Sequence, residues 1–311
     1  STVALRYIGI NCAFTAGGTV SNIHGNTIAS VSITTSSGAT TANGILCGIN
    51  VTAGNANIGV SAANTIGATT GTGSLSATST TTGGLLVGIN SSSTGTISIQ
   101  NNILGAFSCS GVTAAVAGSI AGINVSGVAA SMTVSNNIIG NTTADNMRGG
   151  TLGLTTANSL VSGINMPSTS TGVINVSGNT IRNLSSFGSG TTAFVRGIWT
   201  AAASGSASTY NIFSNTITAL TSNSSLATIT SGQAGTVGIN PATGTNNNVY
   251  LNTISNISNI NTGTTASFVA GIISANATNA SIYRNRIYDL RNAGTSVSAT
   301  APSQIAGIII R

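Results

Sequence analysis

The sequence predicts an all-β protein, a parallel β-solenoid in which one repeated unit stacks on the next. Three observations predict it. A two-part motif recurs every 33 to 41 residues, short runs alternate between apolar and polar residues, and the chain is 41% hydrophobic and 3% charged with 40 glycines. An ordinary soluble domain carries about 25% charged residues. Ser, Thr and Asn replace the charges here, and they suit turns and strand surfaces better than helix exteriors.

The first part of the motif is Gly-Ile, usually followed by Asn. Successive glycines are separated by 39, 40, 34, 41, 34, 41, 33 and 36 residues. A repeat of this period is typical of solenoids, because one unit cannot bury its apolar face alone whereas stacked units can. The isoleucines expected to stack on one another are Ile10, Ile49, Ile89, Ile123, Ile164, Ile198, Ile239, Ile272 and Ile308.

The second part is an apolar residue, two others, Asn, one other, and Ile or Leu. Asn tolerates turn conformations, and stacked Asn side chains can form a ladder of amide hydrogen bonds. We expect a structural role for them rather than a binding role. The asparagines of this ladder are Asn26, Asn64, Asn102, Asn137, Asn179, Asn215, Asn252 and Asn285.

The strands are expected at both motifs. Segments such as Thr96 to Ile99 and Ser131 to Val134 alternate with a period of two and are rich in β-branched residues. Length varies mainly after the Asn motif, in polar stretches such as Thr70 to Gly84, which predicts surface loops there. Residues 1–311 are expected to form one continuous solenoid of about eight repeats.

Each repeat is expected to make two coils of about 18 residues. With a rise of about 4.8 Å per coil, about sixteen coils would form a rod of about 75 to 80 Å.

Segments Tyr210 to Ile217 (YNIFSNTI) and Ser281 to Leu290 (SIYRNRIYDL) each lead to a Gly-Ile pair. With these segments the chain resembles the right-handed parallel β-helix repeat proteins of bacterial cell surfaces, and most of all the secreted repeat adhesin and stalk proteins of Bacteroidetes. The resemblance covers essentially the whole chain, and its motif is a packing motif. It implies a right-handed coil and a secreted or surface-attached protein, and it brings no catalytic residue.

Residues for enzymatic chemistry are scarce. Glycoside hydrolysis generally uses two carboxylates about 5 to 9.5 Å apart, and the chain has only Asp145 and Asp289, which lie about four repeats apart. At two coils per repeat their separation would be about 38 Å. His24, the only histidine, has no acid or nucleophile nearby in its unit. We therefore expect no enzyme, no metal site and no cofactor.

Nucleic acid is not an expected partner, and no transmembrane segment is expected. All eight basic residues are Arg and are spread along the chain, so they form no basic patch; Arg284, Arg286 and Arg291 are the densest group. Ser, Thr, Gly or Asn interrupts every apolar run, so no transmembrane segment is expected. The three cysteines fit small buried side chains, and the Asn-X-Ser/Thr sequences at Asn50, Asn90 and Asn124 fit chance in so polar a chain.

The function expected first is that of an extracellular structural protein, a rigid rod that acts as a filament subunit or adhesin stalk. An uncapped strand edge recruits another strand, so head-to-tail self-association is expected, with Ile308, Ile309 and Ile310 as the end contact. A module that binds a glycan, another cell-surface molecule or ice is the alternative. A carbohydrate-active enzyme is the least favoured interpretation.

Overall fold

The computed structural model describes residues 4–167, 172–200, 208–225, 235–241, 246–275, 277–296 and 302–310. In these ranges every regular element is a β-strand, and every strand pairing is parallel. The strands form three sheets that run along the molecule and enclose one continuous apolar core. The predicted fold class, an all-β parallel solenoid, is confirmed; its handedness stays a prediction.

We call the three sheets A, B and C. Sheet A contains Tyr7–Ala13, Leu46–Ala53, Gly84–Ser91, Gly118–Val125, Leu160–Met166, Phe194–Thr200, Thr236–Pro241, Phe268–Ser274 and Gln304–Ile310. Sheet B contains Ser21–Ile23, Ala56–Ile58, Thr96–Gln100, Ser131–Ser135, Val173–Ser177, Thr209–Phe213, Asn246–Tyr250 and Asn279–Tyr283. Sheet C contains Thr27–Ile28, Val31–Thr35, Thr65–Gly67, Leu75–Ser79, Ile103–Gly105, Phe107–Gly111, Ile138–Ile139, Met147–Gly149, Thr180–Ser186, Thr216–Ser222, Thr253–Asn259 and Arg286–Asn292.

Each repeat makes one coil, so the expectation of two coils per repeat is wrong. The Gly-Ile strand pairs with the Gly-Ile strand of the next repeat, as Ile10 does with Ile49, and the Asn-motif strands pair only with one another. The two motifs therefore lie on different sheets of the same coil. Sheet A has nine strands, and eight steps of about 4.8 Å make the solenoid about 38 Å long rather than 75 to 80 Å.

A glycine-to-isoleucine contact explains why the two motifs belong to one coil. A Cβ atom built on Gly163 would lie 2.6 Å from Cγ2 of Ile181, the inward isoleucine of the Asn motif in sheet C. It would also lie 2.7 Å from the carbonyl oxygen of Gly197 on the next coil. The same contact to Ile or Leu of sheet C recurs at Gly9, Gly48, Gly88, Gly122, Gly197, Gly238 and Gly271.

Glycine also shifts the alternation of side chains in sheet A. Leu46 and Ile49, three positions apart, both lie in the main core, whereas Cys47 belongs to a separate apolar cluster with Val87 and Ala121. Strict alternation would turn either Leu46 or Ile49 outward. The strand therefore buries two large side chains on its inner face and keeps small ones outside.

The corners of the coil do not lie where the sequence suggests. In every coil except that of Asn64, the left-handed backbone falls on the residue before the ladder asparagine, as at Asn101, Asn136, Ser214 and Leu251, with φ between 55° and 61°. The ladder asparagine itself is not the turn residue. The segment Thr70 to Gly84 is also not all loop, since Leu75–Ser79 pairs with Val31–Thr35 in sheet C.

The Gly163→Ala substitution tests the contact across the core. The added methyl group meets Ile181 and a backbone carbonyl, so we expect the free energy of unfolding to fall by about 2 kcal/mol or more. Urea denaturation followed by circular dichroism measures it. Gly307 occupies the same motif position in the last strand of sheet A, where no described atom lies within 4 Å of an added Cβ. Gly307→Ala should leave the stability of the unassembled chain, measured at low protein concentration, unchanged, and an equal loss in both variants would contradict the packing argument.

Candidate functional site

The asparagines of the second motif form one ladder along the seam between sheets B and C. Each side chain donates from Nδ2 to Oδ1 of the equivalent asparagine on the next coil, at 2.8 to 3.0 Å. The ladder runs through Asn26, Asn64, Asn102, Asn137, Asn179, Asn215, Asn252 and Asn285.

Asn137 illustrates how completely one ladder amide is bonded. Its Nδ2 donates to Oδ1 of Asn179 and to the carbonyl oxygens of Ile99 and Ser135. Its Oδ1 accepts from both Nδ2 and the backbone amide of Asn102. Because Asn137 is fully buried, these bonds have no competition from water, and the ladder fixes the register of neighbouring coils.

The isoleucines of the first motif also lie in register along sheet A. They are fully buried in seven successive coils, at Ile49, Ile89, Ile123, Ile164, Ile198, Ile239 and Ile272. The two terminal members differ. Ile10 is partly buried, and Ile308 is 47% exposed because no described strand pairs with the far edge of Gln304–Ile310. Ile310 is 62% exposed, whereas Ile309 packs against an apolar cluster on the outer face.

A second amide ladder follows the first motif. Asn50 donates to Asn11, and equivalent 2.7 Å bonds link Asn90, Asn124 and Asn165 in turn. The asparagines of the Asn-X-Ser/Thr sequences at positions 50, 90 and 124 are therefore buried and hydrogen-bonded. At the next coil Trp199 occupies the asparagine position, and this ladder stops.

The two acidic residues lie far apart. Asp145 precedes Met147–Gly149, and Asp289 lies four coil steps further on in sheet C. At about 4.8 Å per step their separation along the axis is about 19 Å, not about 38 Å. Asp145 accepts a hydrogen bond from Ser185, and Asp289 pairs with Arg291 at 2.8 Å. His24 is exposed in the bend before the ladder.

Two of the three cysteines are buried, whereas Cys12, in the first strand of sheet A, is only partly buried, contrary to the expectation for all three. Cys47 and Cys109 are buried, and desolvation raises the pKa of each thiol to about 12, so both stay protonated at neutral pH. Within the described ranges, His, Cys, Asp and Glu form no group of three or more that could hold a metal ion. None of the elements in those ranges is a helix able to cross a membrane.

A groove on the outer face of sheet A has a cavity volume of about 650 Å³. It crosses four successive strands, from Gly84–Ser91 to Phe194–Thr200. Its floor carries Leu85, Ala121 and Ser162, and its far end carries Phe194, Arg196 and Trp199. A cavity of this size and mixed character is typical of small-molecule sites.

Arg196 is the unusual residue of this groove. Its side chain is 1% exposed, and its guanidinium carbon lies 3.6 Å from the ring centre of Phe194 and 4.8 Å from that of Trp199. Its Nε and Nη2 atoms have no hydrogen-bond partner among the described residues. Desolvation lowers the pKa of Arg196 to about 9, so the group remains a cation at neutral pH, and no described residue forms an ion pair with it.

Sequence reasoning missed Arg196. In register with Ala121 and Ser162, it occupies an outward position that neighbouring coils fill with small side chains. The only signal in the sequence was Trp199, the place where Gly-Ile-Asn becomes Gly-Ile-Trp.

Comparison with known protein families, with curated proteins and with solved structures finds no match for this chain.

The Asn137→Ala substitution tests the first ladder. It removes the acceptor of the buried Asn102 backbone amide and breaks the links of the ladder to Asn102 and Asn179, so we expect a loss of about 3 kcal/mol in the free energy of unfolding. Urea denaturation measures the loss. The matched control is Asn211→Ala, because Asn211 is only partly buried and belongs to a short ladder on the outer face of sheet B. Equal losses of unfolding free energy in the two variants would mean that the buried ladder stabilises the fold no more than the ladder on the outer face does.

Proposed function

We propose that this protein is a non-enzymatic structural protein of the cell surface or extracellular space. In this proposal the solenoid stacks head to tail on further copies and forms the rod of a filament or an adhesin stalk. The observation that carries the proposal is the complementarity of its two end faces.

The buried asparagine ladder gives the end faces opposite hydrogen-bonding character. Every link points the same way, from Nδ2 of one coil to Oδ1 of the next. At the last rung, Nδ2 of Asn285 bonds to the carbonyl oxygen of Val249 and has no asparagine acceptor among the described residues. At the first rung, no described donor reaches Oδ1 of Asn26. Asn285 of one copy can therefore donate to Asn26 of the next and continue the ladder.

Apolar side chains support the same contact. Ile305, Ile308 and Ile310 are 51%, 47% and 62% exposed on the last strand of sheet A. In the first coil, Ile10 occupies the position equivalent to Ile308 and is itself only partly buried. Stacking would bury both, and the unpaired backbone edge favours a parallel strand as its partner. A contact between two different faces does not close on itself, so it produces fibres.

The proposal that the protein is not an enzyme is supported by the positions of its two aspartates. Asp145 and Asp289 are about 19 Å apart along the axis, beyond the range of about 5 to 9.5 Å used in glycoside hydrolysis. Each already has a partner within its own coil or the next one. Location at the cell surface is supported by the resemblance to secreted repeat proteins.

Ice binding is a weaker alternative. The outer face of sheet C does carry a row in register that the sequence analysis did not identify. It reads Thr27, Thr65, Ile103, Ile138, Thr180, Thr216, Thr253 and Arg286. Because isoleucine and arginine interrupt it, the row lacks the regular threonine spacing that an ice-binding face needs.

The Ile308→Asp substitution tests head-to-tail stacking. We expect the unmodified chain to form particles that lengthen with concentration in light scattering and appear as rods in electron microscopy. A buried carboxylate at the contact should raise the concentration needed for assembly at least tenfold. Leu154→Asp places the same charge on a residue that is 66% exposed in a side loop, and it should assemble normally. A chain that stays monomeric at high concentration would contradict the proposal.

A further inference from the structure

The groove around Arg196 indicates a binding role in addition to head-to-tail assembly. Arg196 is a buried cation, and the only two carboxylates of the chain are bonded elsewhere, Asp145 to Ser185 and Asp289 to Arg291. A buried charge without a partner is costly, because water has been removed and nothing replaces its hydrogen bonds. An anion from outside the chain would supply both the counter-charge and the missing acceptors.

The rest of the groove indicates what kind of molecule carries that anion. Phe194 and Trp199 lie against the guanidinium and are both partly exposed. Oδ1 of Asn165, the last rung of the second amide ladder, accepts no hydrogen bond from a described residue and lies next to Trp199 in register. Aromatic faces suit the apolar faces of sugar rings, and an open amide oxygen suits a sugar hydroxyl.

The shape of the groove favours a chain molecule. The groove crosses four strands of sheet A, which is about 14 Å at three steps of about 4.8 Å. Hydroxyl and amide side chains, including Thr82, Ser119 and Asn158, line it together with apolar ones. Since the chain has few acids, an acidic ligand meets little repulsion.

We propose that this groove binds an acidic oligosaccharide, with a uronic acid carboxylate on Arg196 and the sugar rings against Trp199 and Phe194. A guanidinium donates two parallel hydrogen bonds to a carboxylate, and such charged hydrogen bonds are the strong ones. The groove lies on the side of the solenoid and not on its end faces, so the site is independent of head-to-tail stacking.

Isothermal titration calorimetry with a tetrasaccharide of uronic acid residues tests the site on the whole chain. The matched probe is the same tetrasaccharide with its carboxylates methyl-esterified. We expect the acid form to bind at least tenfold more tightly than the ester. The affinity should largely survive 0.5 M salt, because a buried ion pair is screened less than an exposed one.

Two arginine variants distinguish binding in the groove from nonspecific attraction of the acidic tetrasaccharide to a basic protein. Arg196→Met should weaken binding at least tenfold, and its melting temperature should be equal to or higher than that of the unmodified chain, because an unpaired buried cation is removed. Arg148→Met is the control, since Arg148 is exposed on sheet C, outside the groove. It should bind like the unmodified chain.

Several outcomes would overturn the proposal. They are no binding, equal affinity for the acid and the ester, or equal weakening in the two arginine variants. Tighter binding of an acidic peptide, for which tetra-aspartate is the probe, would reassign the groove to a protein partner and overturn the saccharide assignment. If Arg196→Met unfolds, Arg196→Lys is the second test. It keeps the charge but loses the planar fork, so it should fold and bind the acid form less tightly.

Discussion

The contact between a glycine of sheet A and an isoleucine or leucine of sheet C recurs in eight coils and sets the width of the core. Only a residue without a side chain lets the isoleucine approach the opposite strand so closely. The contact brings both sequence motifs into one coil and leaves room for the next glycine directly above. Stacking of identical residues follows from this geometry, and with it the amide ladders and the continuous isoleucine row.

The buried asparagine ladder adds direction to this stack. Apolar packing alone tolerates small shifts of one coil on another, whereas an amide that must find both a donor and an acceptor does not. Each rung leaves one donor for the following coil. Because all these hydrogen bonds point in the same direction along the axis, one end of the ladder presents a donor and the other an acceptor. The ladder that fixes the register inside the molecule therefore also supports the proposed head-to-tail assembly.

Variation is confined to positions that do not disturb the stack. The segments that join sheet C to sheet A differ in length, and the outward positions of sheet A accept Ala121, Ser162 or Arg196 while the inner row keeps Ile123, Ile164 and Ile198. A binding groove can therefore arise on the outer face without a change in the core. Replacement of an amide rung by Trp199 ends the second ladder and provides an aromatic surface at the same point.

The sequence was sufficient for the fold class, because Gly-Ile and Asn motifs at a regular period have few explanations other than stacking. It was not sufficient for the number of coils. Both a coil of about 18 residues and one of about 37 place equivalent residues above one another, and only strand pairing decides between them. Arg196 was beyond sequence reasoning too, since its burial depends on Phe194, Trp199 and loops from other coils.

The distance between Ser32 and Ser258 tests most directly whether each repeat makes one coil. These residues are six steps apart in one row of sheet C. Spin labels on Ser32→Cys and Ser258→Cys, with Cys12→Ser as background, allow the distance to be measured by pulsed electron resonance. One coil per repeat predicts a separation of about 29 Å. A separation near 58 Å, as two coils per repeat require, would contradict the account.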